Sequence, residues 1–398
     1  GQLRYHRLRI LDADIVLERD PSGTGNWKFP GDSGGGFAIV PKDRTQFPTL
    51  IDFAGEHGHI TYRTRSGNIL DIRLDQVTIA APDETAPVKL RATGAYNDVA
   101  LEIAATTESF AALRDAARAF GMDFTVTGKD TTIAFQGTSM EPLDFGGMRG
   151  DLALEAKTLN DILAALRAKA RVDLPVSAAG RFTRDGDHWA LTAAKGKLAK
   201  ATFTGDLALS EGAPGAADDV ALDLDFAPLD LDPLLAAAGL GGKAAKAGAA
   251  KTGWEKTALY PAFLRALKLS ADLKTPLLSF GGTKLPDFAL QGRADGGKVA
   301  LKALRFGFAG GTLAISGEAD GRQKTPALRL QASLAKADIA AVAMLLGGGT
   351  EIRGRLDGGA TLALRGATLG EALGRSNGAM LLTLSQGDVA RSLIEQVS

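Results

Sequence analysis

Cysteine is absent from the 398 residues. That removes disulfide frameworks, thiolate metal sites and cysteine nucleophiles together. It leaves the compartment open, because a cysteine-free chain suits an oxidising space without requiring one. Net charge is also missing, with Lys plus Arg and Asp plus Glu both numbering 46. No long-range field therefore steers the chain towards nucleic acid or an anionic membrane surface. Histidine is limited to four residues and aromatics to 6%, so Leu, Ala, Val and Ile carry most of the apolar load. The longest apolar stretch, Asp338 to Gly349, is too short and too glycine-rich to cross a bilayer, which needs about 20 apolar residues. Gly1 opens in mid-pattern with no signal-like run, so the chain reads as a piece of a longer one.

Catalytic signatures are lacking too. There is no G-x-S-x-G elbow and no histidine spaced to suggest a triad. Gly34 to Gly36 and Gly347 to Gly349 lack the Lys-Ser/Thr ending of a phosphate loop and the strand-to-helix setting of a dinucleotide fingerprint. The residues argue for a protein that is not an enzyme and needs no cofactor or metal.

What the chain has is alternation. Apolar residues recur with period two from end to end: Leu101 and Ile103; Phe203, Leu207 and Leu209; Val299 and Leu301; Leu304, Phe306 and Phe308; Leu313 and Ile315; Leu362 and Leu364. This is the signature of half-buried strands. The phase slips between Leu301 and Leu304 and between Leu74 and Val77, which predicts bulges or strand ends there. Turn clusters at Ser66-Gly67-Asn68, Asp185-Gly186-Asp187, Asp295-Gly296-Gly297 and Asp320-Gly321 predict antiparallel hairpins over βαβ units.

Short helices are expected over 107–120, 158–170, 232–238, 254–267, 337–346 and 369–375. A weak, irregular repeat, GDLAL (150–154), GDLAL (205–209), GTLAI (311–315) and GATLAL (359–364), suggests one long sheet built from similar blocks. The Gly/Ala/Lys-rich segment 239–253 reads as a flexible loop between an N-terminal part, 1–238, and a C-terminal part, 254–398. A second loop is expected over 30–48.

Two clusters invite a metal. In ALDLDF (221–226), Asp223 and Asp225 share one strand face while Leu222, Leu224 and Phe226 share the other. Calcium sites want acids on a tight glycine-containing loop, so these acids read as the wet side of a strand; Asp230 and Asp232, beside prolines, read as turn and cap residues. His57 and His59 could supply half of a zinc or copper site, with Glu56 and Asp52 nearby. Surface histidines account for the pair as well.

Four stretches resemble the AsmA-like family. They are LRILDADIVLERDPSGTGNWKF (8–29), with its acidic, glycine-containing turn before Asn26-Trp27, and FAGEHGHITYRTRSGNILDIRLDQVTI (53–79), in which Arg63-Thr64 replaces the usual acidic turn. The others are VSAAGRFTRDGDHWALTAAKGKLAKATFTGDLAL (176–209) and GATLALRGATLGEALGRSNGAMLLTLSQGDV (359–389), with Thr368 where Ser is common. Their order covers nearly the whole chain, leaving 239–253 as an insertion.

The resemblance implies a bridge-like lipid-transfer protein related to the translocation-and-assembly-module subunit. Such a protein is periplasmic, tethered by an inner-membrane helix outside this sequence, and linked to phospholipid supply and integrity of the outer membrane. Its implied partners are phospholipid or another membrane lipid, the two membranes and envelope-assembly proteins, with no nucleic acid.

The expected fold is mainly β with a few short helices: an extended, curved, largely antiparallel sheet forming an amphipathic groove. Closed β-sandwich domains are the alternative, and alternation alone does not separate the two. In a groove, Phe203, Leu207, Leu209, Leu222, Leu224, Phe226, Leu304, Phe306 and Phe308 would line the path of acyl chains. A second class of function is a scaffold for outer-membrane biogenesis that contacts partners through sheet edges and carries no lipid.

Overall fold

The computed structural model describes residues 3–18, 26, 44–63, 69–143, 145–165, 172–213, 216–237, 258–265, 268–345 and 352–389. Among the described residues 67% lie in strands and 11% in helices. The fold is mainly β, built as curved, open, predominantly antiparallel sheet with a few short helices. Contacts divide the chain into a unit ending at Asp218 and a unit starting at Asp219, with Ala237–Gly239 grouped with the first.

The first unit opens with β1 (Arg4–Tyr5), β2 (Leu8–Leu11) and β3 (Asp14–Glu18), followed by β4 (Thr49–Leu50). β1 and β4 form a separate parallel pair. β2 and β3 lie end to end along β5 (Asp52–Arg63), both parallel to it. An antiparallel meander follows through β6 (Ile69–Ala80), β7 (Val88–Tyr96), β8 (Val99–Thr107), α1 (Phe110–Arg114), β9 (Phe120–Gly128), β10 (Thr131–Glu141), β11 (Gly146–Ala156), α2 (Asn160–Ala165), β12 (Val176–Asp185), β13 (His188–Leu198) and β14 (Ala201–Ser210).

The second unit repeats this plan. β15 (Asp219–Phe226) and β16 (Leu229–Asp230) precede α3 (Leu231–Ala237) and lie end to end, parallel, along β17 (Lys268–Phe280). The meander then runs through β18 (Thr283–Asp295), β19 (Lys298–Phe308), β20 (Gly311–Asp320), β21 (Ala327–Asp338), α4 (Ile339–Leu345), β22 (Ile352–Arg365), α5 (Leu369–Gly374) and β23 (Asn377–Val389). The ladder to β17 is what draws β15 and β16 into this unit, ahead of the sequence break at 239–253, which lies outside the described residues.

The alternation places apolar residues on one face because the register keeps its phase from strand to strand. One row in the first unit reads Phe53, Ile79, Leu90, Ala105, Phe124, Phe135, Leu152. Both expected phase slips are bulges: the β19–β20 register shifts between Leu301 and Leu304, and the β6–β7 register between Leu74 and Gln76. The four repeat blocks fall within β11, β14, β20 and β22.

Glycine shapes the sheet. Gly137 and Gly150 sit opposite each other on the apolar side. A Cβ on either would run into the partner strand's backbone, and one on Gly137 would also meet the Phe135 ring. The strands therefore close over their apolar side at this row, which only glycine permits.

The first and fourth expected helices are shorter than the periodicity suggests, while 166–170 of the second lie outside the described residues. Ser109 caps α1 by accepting from Ala112 N–H at 3.2 Å, but the helix stops at Arg114, and Gly121 belongs to β9, where its N–H donates to Glu108 Oε2 at 2.7 Å. Of 254–267, the described part is a bridge at Ala258 and a 3-10 turn over Ala262–Arg265, not a long helix; 254–257 and 266–267 lie outside it. The loop over 30–48 is described only from Arg44, where a 3-10 turn, Arg44–Gln46, leads into β4.

Candidate functional site

The apolar faces of the two units differ in cover. In the first, a plug sits on the face at one end of β7–β11. Phe110 and Leu113 of α1 join Leu50 of β4 in a buried cluster with Val88, Phe120, Met122, Phe135 and Met148. Phe47 stacks on Phe110 at 6.1 Å between ring centroids. Two buried arginines hold the plug in place. Arg114 donates to Thr49 Oγ1 at 3.1 Å, Phe47 O at 3.2 Å and Glu84 Oε2 at 2.9 Å, while Arg44 donates to the carbonyls of Asp115 and Arg118. The Arg114 guanidinium is tolerated there because its donors meet fixed acceptors, whereas Arg44 Nη1 is buried without a partner.

Among the described residues of the second unit, cover lies at the two strand ends: α4 packs against β21 and β22 where Ala337 and Leu356 are buried, and α5 sits at the opposite end. Leu369 and Ala372 of α5 pack with Leu259, Leu364, Leu328 and Leu330. Thr368 caps α5, accepting from Glu371 N–H at 3.3 Å, and Glu371 Oε2 accepts from the preceding Ala367 N–H at 2.9 Å. Tyr260 is buried nearby; burial raises its hydroxyl above the usual range, and Arg265 lies 6.0 Å from its ring.

Between those ends, the face of β18–β23 is only half-covered among the described residues. Its rows are Gly292, Leu301, Gly317, Leu330, Leu362, Gly378; then Leu290, Leu304, Ile315, Ala332, Ala360, Met380; and, from β19 onward, Phe306, Leu313, Leu334, Gly358, Leu382. On β19, β20 and β21 these leucines, Ile315 and Phe306 are half-buried; on β22 Leu362, and on β23 Met380 and Leu382, are exposed. Two adjacent depressions of about 660 and 740 Å³ cross these strands, one centred on the row from Leu301 to Gly378 and the other on the row through Ile315, Ala332, Ala360 and Met380.

All nine candidate lining residues fall on the apolar faces, but in two groups. Phe203, Leu207 and Leu209 belong to β14 of the first unit, opposite Gly196, Leu191 and Trp189. Leu222 and Leu224 on β15 face Ala271 and Leu273 in the ladder, with Phe226 following on the same side. Leu304, Phe306 and Phe308 on β19 lie opposite Ile315, Leu313 and Gly311. Phe203 and Leu224 are buried, so they serve packing, whereas the other seven are half-buried. The residues missing from the expectation are Leu301, Ile315, Leu330 and Leu362 on β19–β22 and those of β23. The signal for β23 was present in Met380, Leu382 and Leu384, but Leu381 interrupts the alternation.

The acidic alternation is the outer side of a strand. Asp223 and Asp225 are exposed. Their neighbours form a charge ladder: Lys268 Nζ lies 3.1 Å from Asp219, Arg293 3.2 Å from Asp219, Lys274 3.9 Å from Asp225 and 3.6 Å from Asp272. Asp230 accepts from Asp232 N–H at 3.1 Å, and Asp232 from Gly281 N–H at 2.8 Å. Among the described residues no group of three or more His, Asp or Glu is placed to hold a metal ion. His57 and His59 each face their own carboxylates, Asp12 for the first and Asp14 and Asp71 for the second.

Asn26 acts as a strand end-piece. Its side chain accepts from Glu18 N–H at 3.0 Å and donates to Val16 O at 3.0 Å, continuing the hydrogen-bond pattern of β3. Trp27 lies outside the described residues. In comparisons with family models, curated proteins and solved structures, none matches this chain. No helix among the described residues is long and apolar enough to cross a membrane.

Proposed function

We propose that this chain is a lipid-binding module of the AsmA-like, bridge-like lipid-transfer class, acting in the periplasm and holding acyl chains of phospholipid or another membrane lipid. The observation that carries the reading is the half-covered apolar face of β18–β23, continuous in register across six strands. A sandwich core would bury such leucines. Six strands at about 4.8 Å spacing make a face about 24 Å across. One acyl chain occupies about 15 Å, half of a bilayer's hydrocarbon core.

Lifting a tail out of a membrane costs about 0.8 kcal/mol per CH2. Apolar area covered on the sheet offsets this at about 25 cal/mol per Å². Exchange between membrane and sheet is then close to balanced and needs no chemistry. The polar groups of a lipid would remain in water.

The test is native mass spectrometry of the gently purified chain with lipid extraction, repeated after incubation with phospholipid vesicles. Bound phospholipid is expected, and Phe306→Glu or Leu330→Glu should lose it while keeping the circular-dichroism spectrum. Full binding by both folded variants would remove this face from the site. A lipid-free mass before and after incubation would favour the scaffold class, in which the sheet edges carry the function.

A further inference from the structure

The seam between the first unit's edge strands and β5 holds two histidine–carboxylate pairs. β2 gives way to β3 at Asp12 and Ala13, and backbone bonds bracket the break: Asp12 N–H donates to Glu56 O at 3.0 Å and His59 N–H to Ala13 O at 2.7 Å. Asp12 and His57 both take left-handed backbone, each at φ 53°. His57 Nδ1 lies 3.6 Å from Asp12 Oδ1, with both side chains well exposed. His59 is placed differently. Its Nε2 lies 2.9 Å from Asp71 Oδ2 on β6, and its Nδ1 lies 3.4 Å from Asp14 Oδ1 on β3. One imidazole therefore spans three neighbouring strands.

A neutral imidazole offers one N–H and one lone pair. If Nε2–H donates to Asp71, the Nδ1 lone pair faces the Asp14 carboxylate; the other tautomer produces the same conflict at Asp71. Only the imidazolium donates to both. The other charged groups about it are Arg73, its register partner on β6, which is engaged by Asp98 at 3.0 Å, the Asp12–His57 pair beside it, and Glu56 on its own strand. The Asp71 hydrogen bond, the largest effect, raises His59 above the ordinary histidine value; burial opposes it, and the charges of Asp71 and Asp14 add to the rise.

We infer that His59 is a proton-dependent clasp whose imidazolium ties the edge strand β3 to the sheet and whose deprotonation loosens that tie. Because the folded value is raised, the tie is complete below the unfolded value of about 6.5 and is lost as pH climbs through the folded value. β3 sets Ile15 and Leu17, both half-buried, alongside Ile60 and Tyr62 on the apolar side. The clasp thus controls a lateral margin of the apolar face; this consequence, unlike the clasp itself, rests on the lipid reading.

Hydrogen exchange of the full chain, followed by mass spectrometry from pH 5.5 to 8.5 and corrected for intrinsic rates, reads the clasp at the amides of 14–18. Protection should fall roughly two- to fivefold across that range, the worth of one exposed ion pair. His59→Gln and Asp14→Asn should each flatten the profile, and His57→Gln should retain it. An unchanged slope in His59→Gln, or a His59 ring titration at or below about 6.5 by NMR, would overturn the proposal. Uptake of a fluorescent phospholipid, measured at the same pH values, is the second readout. Uptake that is independent of pH in a chain whose protection still varies would overturn the link to the apolar face and leave the clasp standing. No uptake at any pH would count against the lipid reading alone.

Discussion

Phe135, at the centre of the first unit's apolar face, is 1% exposed, whereas Leu362, on a central row of the second unit's face, is 39% exposed. Both units share a plan of two strands laid end to end, parallel, along the first strand of an antiparallel meander, and both present an apolar side. The difference is the plug. In the first unit α1, Phe47 and β4 land on the face and are held there by Arg114 and Arg44; in the second, among the described residues, α4 and α5 pack at opposite strand ends and leave the rows between them half-covered. A short segment therefore closes part of an amphipathic sheet: Phe110, Met122 and Phe135 are buried beneath it, while Phe53, Leu90 and Leu152 in the first unit, like Leu301, Ile315 and Leu330 in the second, stay half-buried. The edges differ as well. β2 and β3 are short, broken and charged, while β23 runs for 13 residues without Lys, Arg or Pro and leaves Met380 and Leu381 exposed at 71% and 72%.

The largest test of this comparison removes the same kind of side chain from both faces. Phe135→Ala should cost about 3–5 kcal/mol in a urea melt, as expected for a fully buried aromatic. Leu362→Ala should cost about 1 kcal/mol, because much of its surface already meets water. Equal costs would mean that the second face is covered after all. Arg114→Ala should cost about 2 kcal/mol, since it leaves the buried Thr49 hydroxyl and the Phe47 carbonyl without their donor and frees the plug. Its counterpart, Thr368→Ala, removes one cap of α5 and should cost about 1 kcal/mol; a larger loss would show that α5 holds more of the second unit than its contacts suggest.

Smaller effects sharpen the edge comparison. Leu381→Lys should change stability by less than about 0.5 kcal/mol yet reduce concentration-dependent association in sedimentation velocity, because a charged edge strand resists pairing with another chain. Least in size is Glu211→Gln. Burial, with Asp187 and Asp218 adding to it, raises the Glu211 carboxyl, so native stability is favoured below the unfolded value and declines as pH rises through the folded one. The amide should raise Tm at pH 7 and leave it unchanged at pH 4.

Much of the sheet was legible in the residues. Leu304, Phe306 and Phe308 share a face because strand side chains repeat every two residues, and Lys302 falls at the bulge that the phase slip between Leu301 and Leu304 requires. Asp185-Gly186-Asp187 joins β12 to β13 as a hairpin. The histidine pair was legible only as a pair, since Asp14 and Asp71 approach His59 from strands on either side of β5.

The sequence by itself determined the strand class, the apolar side of most strands, the turns at Asp185-Gly186-Asp187, Asp295-Gly296-Gly297 and Asp320-Gly321, and the absence of thiol chemistry; the predicted turn at Ser66-Gly67-Asn68 lies outside the described residues. These are local properties, set by a two-residue period, by turn residues and by composition. Only the tertiary structure decided that β2, β3, β15 and β16 pair in parallel, that Phe203 and Leu224 are packed while Phe306 stays half-covered, and that His59 bridges two carboxylates. Each of those outcomes depends on which distant segment comes to rest against a face or an edge, and alternation carries no information about its cover.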